Sequence, residues 1–218
     1  GNLKGHETHS GKVVISVLRQ VRQGISRSLC RLDEDLAITR HRAFDPSWNF
    51  SEIMTNLPDE RERYRYFLWF FRRQLDLDLL RHRIYFKREG RSFGEDAFHA
   101  MWLKLWEQYR PSAALEIGVF RGQTVTLWLL LAQRYVGRSD VWGITPLSDA
   151  GDSVSTYADV DYASDIESHY DHFGLGTPQI VKAFSQDPEA REFLGEREWD
   201  LIYLDGSHEY EDVMGDVE

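Results

Sequence analysis

The sequence predicts an α/β protein: an α-helical amino-terminal extension over residues 1–110, then a parallel sheet with crossover helices over 111–218. Two observations carry this expectation. Before Pro111 the apolar residues recur at helical spacing, whereas after it short apolar runs alternate with helical stretches, as strand–helix–strand units do. A strand at 113–117 also ends in an acid and passes through a glycine-bearing turn straight into a helix.

The elements follow in order. Val13, Val14, Val17, Leu18, Val21 and Ile25 are spaced for one helical face, with Arg19, Arg22 and Arg27 elsewhere on the surface. This basic amphipathic helix has no aromatic anchor, so packing on protein is expected over membrane binding. Residues 41–58 are rich in turn formers and read as a connector. Pro58-Asp59-Glu60 opens a helix with proline and acids in its first turn. That helix is expected to run through Tyr64, Phe67, Leu68, Phe71 and Leu75 to about Leu80. A further helix over 93–109 carries Phe98, Met101, Trp102, Leu105 and Trp106 on one face, and Pro111 ends it. Strands are then expected at 113–117, 140–145, 179–184 and 199–204. Helices are expected at 122–135, 162–173 and 188–194, with another from Ser207. The chain stops inside that last helix, so further strands or a partner strand are expected and the sheet is incomplete within this chain. The polar stretch 143–161 reads as a long loop at the ligand end of the sheet.

Composition removes several functions. The chain has 218 residues and a net charge of −10. Residues 1–110 hold 20 basic and 15 acidic residues, while 111–218 hold 6 and 21, a net of −15 in that half. Phosphates would be repelled there, so a nucleic-acid partner is not expected. No apolar run approaches the ~18 residues that a transmembrane segment needs. No signal segment opens the chain, and a cytoplasmic location is expected. The single cysteine, Cys30, excludes an intrachain disulfide and a multi-cysteine zinc site. His169 and His172 share a helix face with Asp165 and read as solvated. The other histidines, His82 and His99 among them, show no ligand spacing.

The most informative stretch is Glu116-Ile117-Gly118-Val119-Phe120-Arg121-Gly122-Gln123-Thr124. Glycines allow a sharp turn and close approach of a ligand, and the helix start supplies unpaired N–H groups. The spacing Gly-x-x-x-Gly differs from the Gly-x-Gly-x-x-Gly of a dinucleotide binder. An acid at the strand end disfavours a phosphate and suits a hydroxyl-bearing or cationic ligand. The second strand ends in Thr145, the third in Ala183-Phe184-Ser185-Gln186-Asp187. The fourth ends in Asp205-Gly206-Ser207-His208-Glu209-Tyr210. Ligands of open α/β sheets bind beyond the carboxyl ends of strands, so these turns are expected to share one crevice.

Residues 116–124 resemble the first motif of class I S-adenosylmethionine-dependent methyltransferases, and Asp205 to Tyr210 is similar to the Asp-Gly-x-His-x-Tyr signature of the methyltransferase 24 type. That type includes small-molecule and sugar O-methyltransferases and resembles cephalosporin-hydroxylase-like proteins. The resemblance implies a Rossmann-like fold with S-adenosylmethionine as cofactor. It places Glu116, Gly118, Val119, Phe120, Arg121, Gly122, Gln123 and Thr124 around that cofactor, with Thr145 at the ribose and Ser185 at the adenine. Thr145 stands where the family usually has an acid that binds both ribose hydroxyls. Asp205 and His208 are implied as catalytic residues, His208 as the base, and Asp205 as a Mg²⁺ ligand in metal-dependent relatives. The implied acceptor is a small polar molecule or a sugar hydroxyl. The amino-terminal helices read as either a substrate cap or a homo-oligomer surface. The alternative reading is a degenerate methyltransferase fold that acts as a binding or assembly module.

Overall fold

A computed structural model describes residues 44–148 and 160–206. The chain divides into two units, residues 1–45 and 46–218, and the elements below belong to the second. The expected helix over 12–30, the helix from Ser207 and the loop residues 149–159 lie outside the described residues.

The connector contains a helix, α1 (Phe50–Asn56), which the turn-forming residues around it hid. Asn49 accepts from the Glu52 amide while the Glu52 carboxylate accepts from the Asn49 amide, a reciprocal cap that satisfies two otherwise unpaired donors. The single helix expected from residue 58 to 80 is two: α2 (Glu60–Gln74) and α3 (Leu77–Lys87). The break falls at Leu75, whose ψ of 133° is extended, and Asp76 caps the new helix by accepting from the Leu79 amide. Local side-chain bonding of this kind lets an acid compete with helix continuation. After a single 3-10 turn (Arg88–Gly90), α4 spans Asp96–Tyr109 and ends at Arg110 in the left-handed conformation.

Four strands follow: β1 (Ala113–Ile117), β2 (Asp140–Thr145), β3 (Ile180–Lys182) and β4 (Leu201–Leu204). All pairings are parallel and the strand order is β3-β2-β1-β4. Helices α5 (Gln123–Tyr135), α6 (Tyr162–Phe173) and α7 (Pro188–Gly195) connect them. The strand expected at 179–184 shortens at both ends and that at 199–204 at its start, while the first two have the expected bounds. Asp200 joins β1 to β4 at their start, accepting from the Ser112 amide and hydroxyl and from the Ala113 amide.

Side chains alternate across a strand, so the two faces of β1 do different things. Leu115 and Ile117 pack with Ile144, Ala183 and Ala190 of α7 on one face. Glu116 points to the other face, with Tyr203 as its register partner on β4. There Trp102 of α4 meets Trp128 of α5 edge to face at 4.9 Å and Tyr203 at 5.1 Å. These ring contacts bind the helical region to the sheet, each adding ~0.5–1.5 kcal/mol beyond its buried area.

Gly143 is fixed by close packing. A Cβ on Gly143 of β2 would lie 2.4 Å from Cγ2 of Val119 and 2.8 Å from Cδ1 of Ile180. Gly143→Ala is therefore expected to destabilise the fold by about 1–3 kcal/mol through overpacking, seen as a lower urea midpoint at unchanged slope.

Candidate active site

The carboxyl ends of β1, β2 and β4 meet around the turn that leads into α5. Gly118 has φ +94°, and a Cβ there would lie 2.3 Å from the Gly206 backbone. The exits of β1 and β4 thus touch backbone to backbone, reinforced by the Asp205 amide donating to the Ile117 carbonyl at 2.8 Å. Gly118 needs to be glycine for this contact alone, whatever else it approaches. Gly122, at φ +82°, is the residue from which α5 starts, and no side chain caps that start. Of its first amides, that of Val125 bonds the Glu116 carboxyl, and those of Gln123 and Thr124 are left for other partners.

Glu116 lies beneath this turn and is only 3% exposed. Thr124 and the Val125 amide hydrogen-bond its carboxyl, yet Oε2 has no partner. Burial, with the nearby Asp205 charge, pushes its pKa well above the carboxylate range. A buried acid with an unused oxygen beside an uncapped helix start fits a ligand that brings both a cation or donor and an acceptor. The ammonium and carboxylate of an amino-acid moiety supply that pair. The residues present therefore fit S-adenosylmethionine.

The remaining expected cofactor residues sit around this point in different ways. Val119 is buried against Gly143. Phe120 stacks on Phe93 at 5.1 Å. Arg121 pairs with Asp165 of α6 and donates to the Gly90 carbonyl at 3.2 Å. Gln123 accepts from the Ser92 hydroxyl. Thr145 is buried and its hydroxyl accepts from the Leu147 amide at 3.3 Å, while Leu147 adopts a left-handed φ of 54°. Ser185 is half-buried in the turn after β3. Asp187 holds that turn by accepting from the Phe184 amide at 2.9 Å. Asp205 is exposed at the end of β4, and the Tyr203 hydroxyl bonds to it. His208 lies outside the described residues.

A cleft opens between the 92–94 segment, α4, the start of α5 and the end of β4. Ser92, Phe93, Phe98, His99 and Trp102 form its outer wall, facing Gln123, Tyr203 and Asp205. Phe98 was expected on the packed face of its helix, but α4 buries His99, Ala100, Leu103 and Lys104 and leaves Phe98 42% exposed at the cleft. None of the wall residues before Gly118 belongs to a recognisable motif. Their only sequence signal is the aromatic richness of 93–109.

Behind the cleft runs a hydrogen-bonded chain. The Thr126 hydroxyl donates to the Gly122 carbonyl at 2.6 Å, so it accepts from His82 Nε2 at 3.0 Å. His82 Nδ1 then accepts from His99 Nε2 at 3.0 Å, and His99 Nδ1 faces Gln123 Nε2 at 3.5 Å. The partners fix both tautomers and require both rings neutral. Burial, with neighbouring positive charge, agrees: His99 is pushed down to about 3 and His82 well below its ordinary value. Nothing in their sequence spacing, 17 apart, indicated this pairing. A second correction concerns His169, which is buried rather than solvated: its Nδ1 lies 2.9 Å from the Tyr85 hydroxyl. His172 is exposed and stacks on Tyr85.

Residues 115–218 match the methyltransferase domain family. No curated protein matches the chain. Among solved structures it is similar to the SAH-bound Podospora anserina methyltransferase PaMTH1, at 13% identity and a TM-score of 0.46. That alignment covers 68% of this chain and 59% of the other, so the chain spans under two thirds of that protein's length. Over residues 115–218 this chain is thus similar to methyltransferase domains.

The neutral histidine pair has a consequence for stability. An unfolded histidine takes up its proton near ~6.5, whereas these buried rings do not. Folding stability is therefore full above that pH and falls as the pH drops from about 6.5 towards 3. A thermal midpoint that declines over this range, with a shallower decline in His99→Asn, is the expected result.

Proposed function

We propose that this protein is an S-adenosylmethionine-dependent O-methyltransferase of the cytoplasm, acting on a hydroxyl of a small polar molecule. The observation that carries the reading is the unpartnered, buried Glu116 oxygen beside the uncapped start of α5. The family match over 115–218 supports it.

Glu116, the Gly118–Thr124 turn, Thr145 and Ser185 would hold the cofactor, which supplies an electrophilic methyl group when bound. The chain's own work is positioning and proton removal. The α5 amides would bind the amino-acid carboxylate, and Glu116 its ammonium. Asp205, at the end of β4 and lining the cleft, accepts the acceptor's hydroxyl. His208, three residues on, would take the proton.

Among the described residues no three His, Cys, Asp or Glu side chains converge as a metal site, so no Mg²⁺ is assigned at Asp205. The reading proceeds without it. Thr145 favours a second reading, a binding or assembly module, because a hydroxyl that already accepts from the Leu147 amide offers fewer contacts than the acid it stands in for.

Calorimetric titration with S-adenosylhomocysteine separates the two. Saturable binding by the full chain, weakened at least ~10-fold in Glu116→Gln by loss of a charged partner, is the enzyme's outcome. No binding to the folded chain would leave the module. The same variant should be more stable without ligand at pH 7. An acid whose folded pKa is raised loses stability as pH climbs above the ordinary carboxyl range near ~4.3, and the amide has no proton to lose.

A further inference from the structure

The cleft beside the cofactor turn has a wall that discriminates among hydroxyl-bearing acceptors. Six of its 13 lining residues are aromatic: Phe93, Phe98, His99, Trp102, Phe120 and Tyr203. Two of them are left substantially in water, Phe93 58% and Phe98 42% exposed. The polar side chains of the same wall are largely engaged with one another. Ser92 donates to Gln123, Gln123 faces His99, and Thr124 bonds Glu116.

A sugar ring carries hydroxyls around its whole edge, and each one buried without a partner costs free energy. A wall whose amide and hydroxyl groups are already paired offers few replacements. A flat aromatic ring with one or two hydroxyls at one edge buries against such a wall without that loss. Its ring can meet Phe98 and Phe93 offset or edge to face. Its hydroxyls are donors, and Asp205, the one carboxylate among the described residues of the wall, is an acceptor.

Resting on the methyltransferase reading above, we propose that this cleft is the acceptor site and that its occupant is a phenolic ring, with Phe98 as a specificity-determining contact. Phe98 packs no core, so its truncation tests recognition apart from folding.

The test is calorimetric titration of the full chain with catechol and, separately, with methyl α-D-glucopyranoside, each with and without S-adenosylhomocysteine. Catechol is expected to bind saturably and the glucoside not. Catechol affinity should fall about 5–10-fold in Phe98→Ala, the loss of one ring contact and part of its area, while S-adenosylhomocysteine affinity stays unchanged. Phe93→Ala, at the more exposed ring, is the second variant and is expected to weaken catechol in the same direction. Binding of the glucoside in preference to catechol, no catechol binding, or catechol affinity indifferent to both variants would overturn the proposal. Failure of S-adenosylhomocysteine alone would remove the methyltransferase reading, and the ligand-free catechol titration still reads the cleft.

Discussion

A carboxyl group is buried at the end of the central strand with one oxygen unmet. Glu116 is held there because alternation along β1 turns it away from the apolar α7 face and onto the face covered by α5. Two bonds from the first turn of that helix hold it. Its neighbours add no counter-charge: Asp205 repels it, and Tyr170 has its own pKa raised by burial and by Glu116. A carboxyl in that position carries an uncompensated cost when ionised. A cationic ligand would relieve the cost, which is the physical argument behind the proposal of a sulfonium amino acid rather than a phosphate at this turn.

Everything around the site is arranged by close contacts to that strand end. Gly118 lets the β4 exit touch the β1 exit, and Gly143 makes room for Val119. Together they bring Asp205 and the α5 start to one crevice. The helical region supplies the outer wall through the Ser92–Gln123 bond, the Phe93–Phe120 stack and the His99–His82–Thr126 chain. That chain ends on the Gly122 carbonyl, the residue from which α5 departs. The wall and the helix start are thus parts of one hydrogen-bonded structure.

The sheet was legible because each strand is a separate apolar run flanked by turns, and parallel pairing buries both faces. The glycine turn was legible because glycine and an acid at a strand end are local signals. The helix break at Leu75 was not, because the apolar pattern continues across it and only the Asp76 cap decides. The α1 helix was obscured by its flanking prolines, although Asn49-x-x-Glu52 is a capping signature in plain sequence. The histidine pair depends on a contact between two helices, 17 residues apart, which no spacing encodes. The same holds for the cleft's aromatic wall, since helical periodicity gives a face but not which neighbour covers it.

Amide hydrogen exchange over Gly118–Val125, with and without S-adenosylhomocysteine, tests the central claim most directly. The account predicts that the Gln123 and Thr124 amides at the start of α5 exchange quickly in the free chain and are protected on ligand addition, while the β1 amides change little. Protection confined to other segments, with the start of α5 unaffected by a bound ligand, would contradict it.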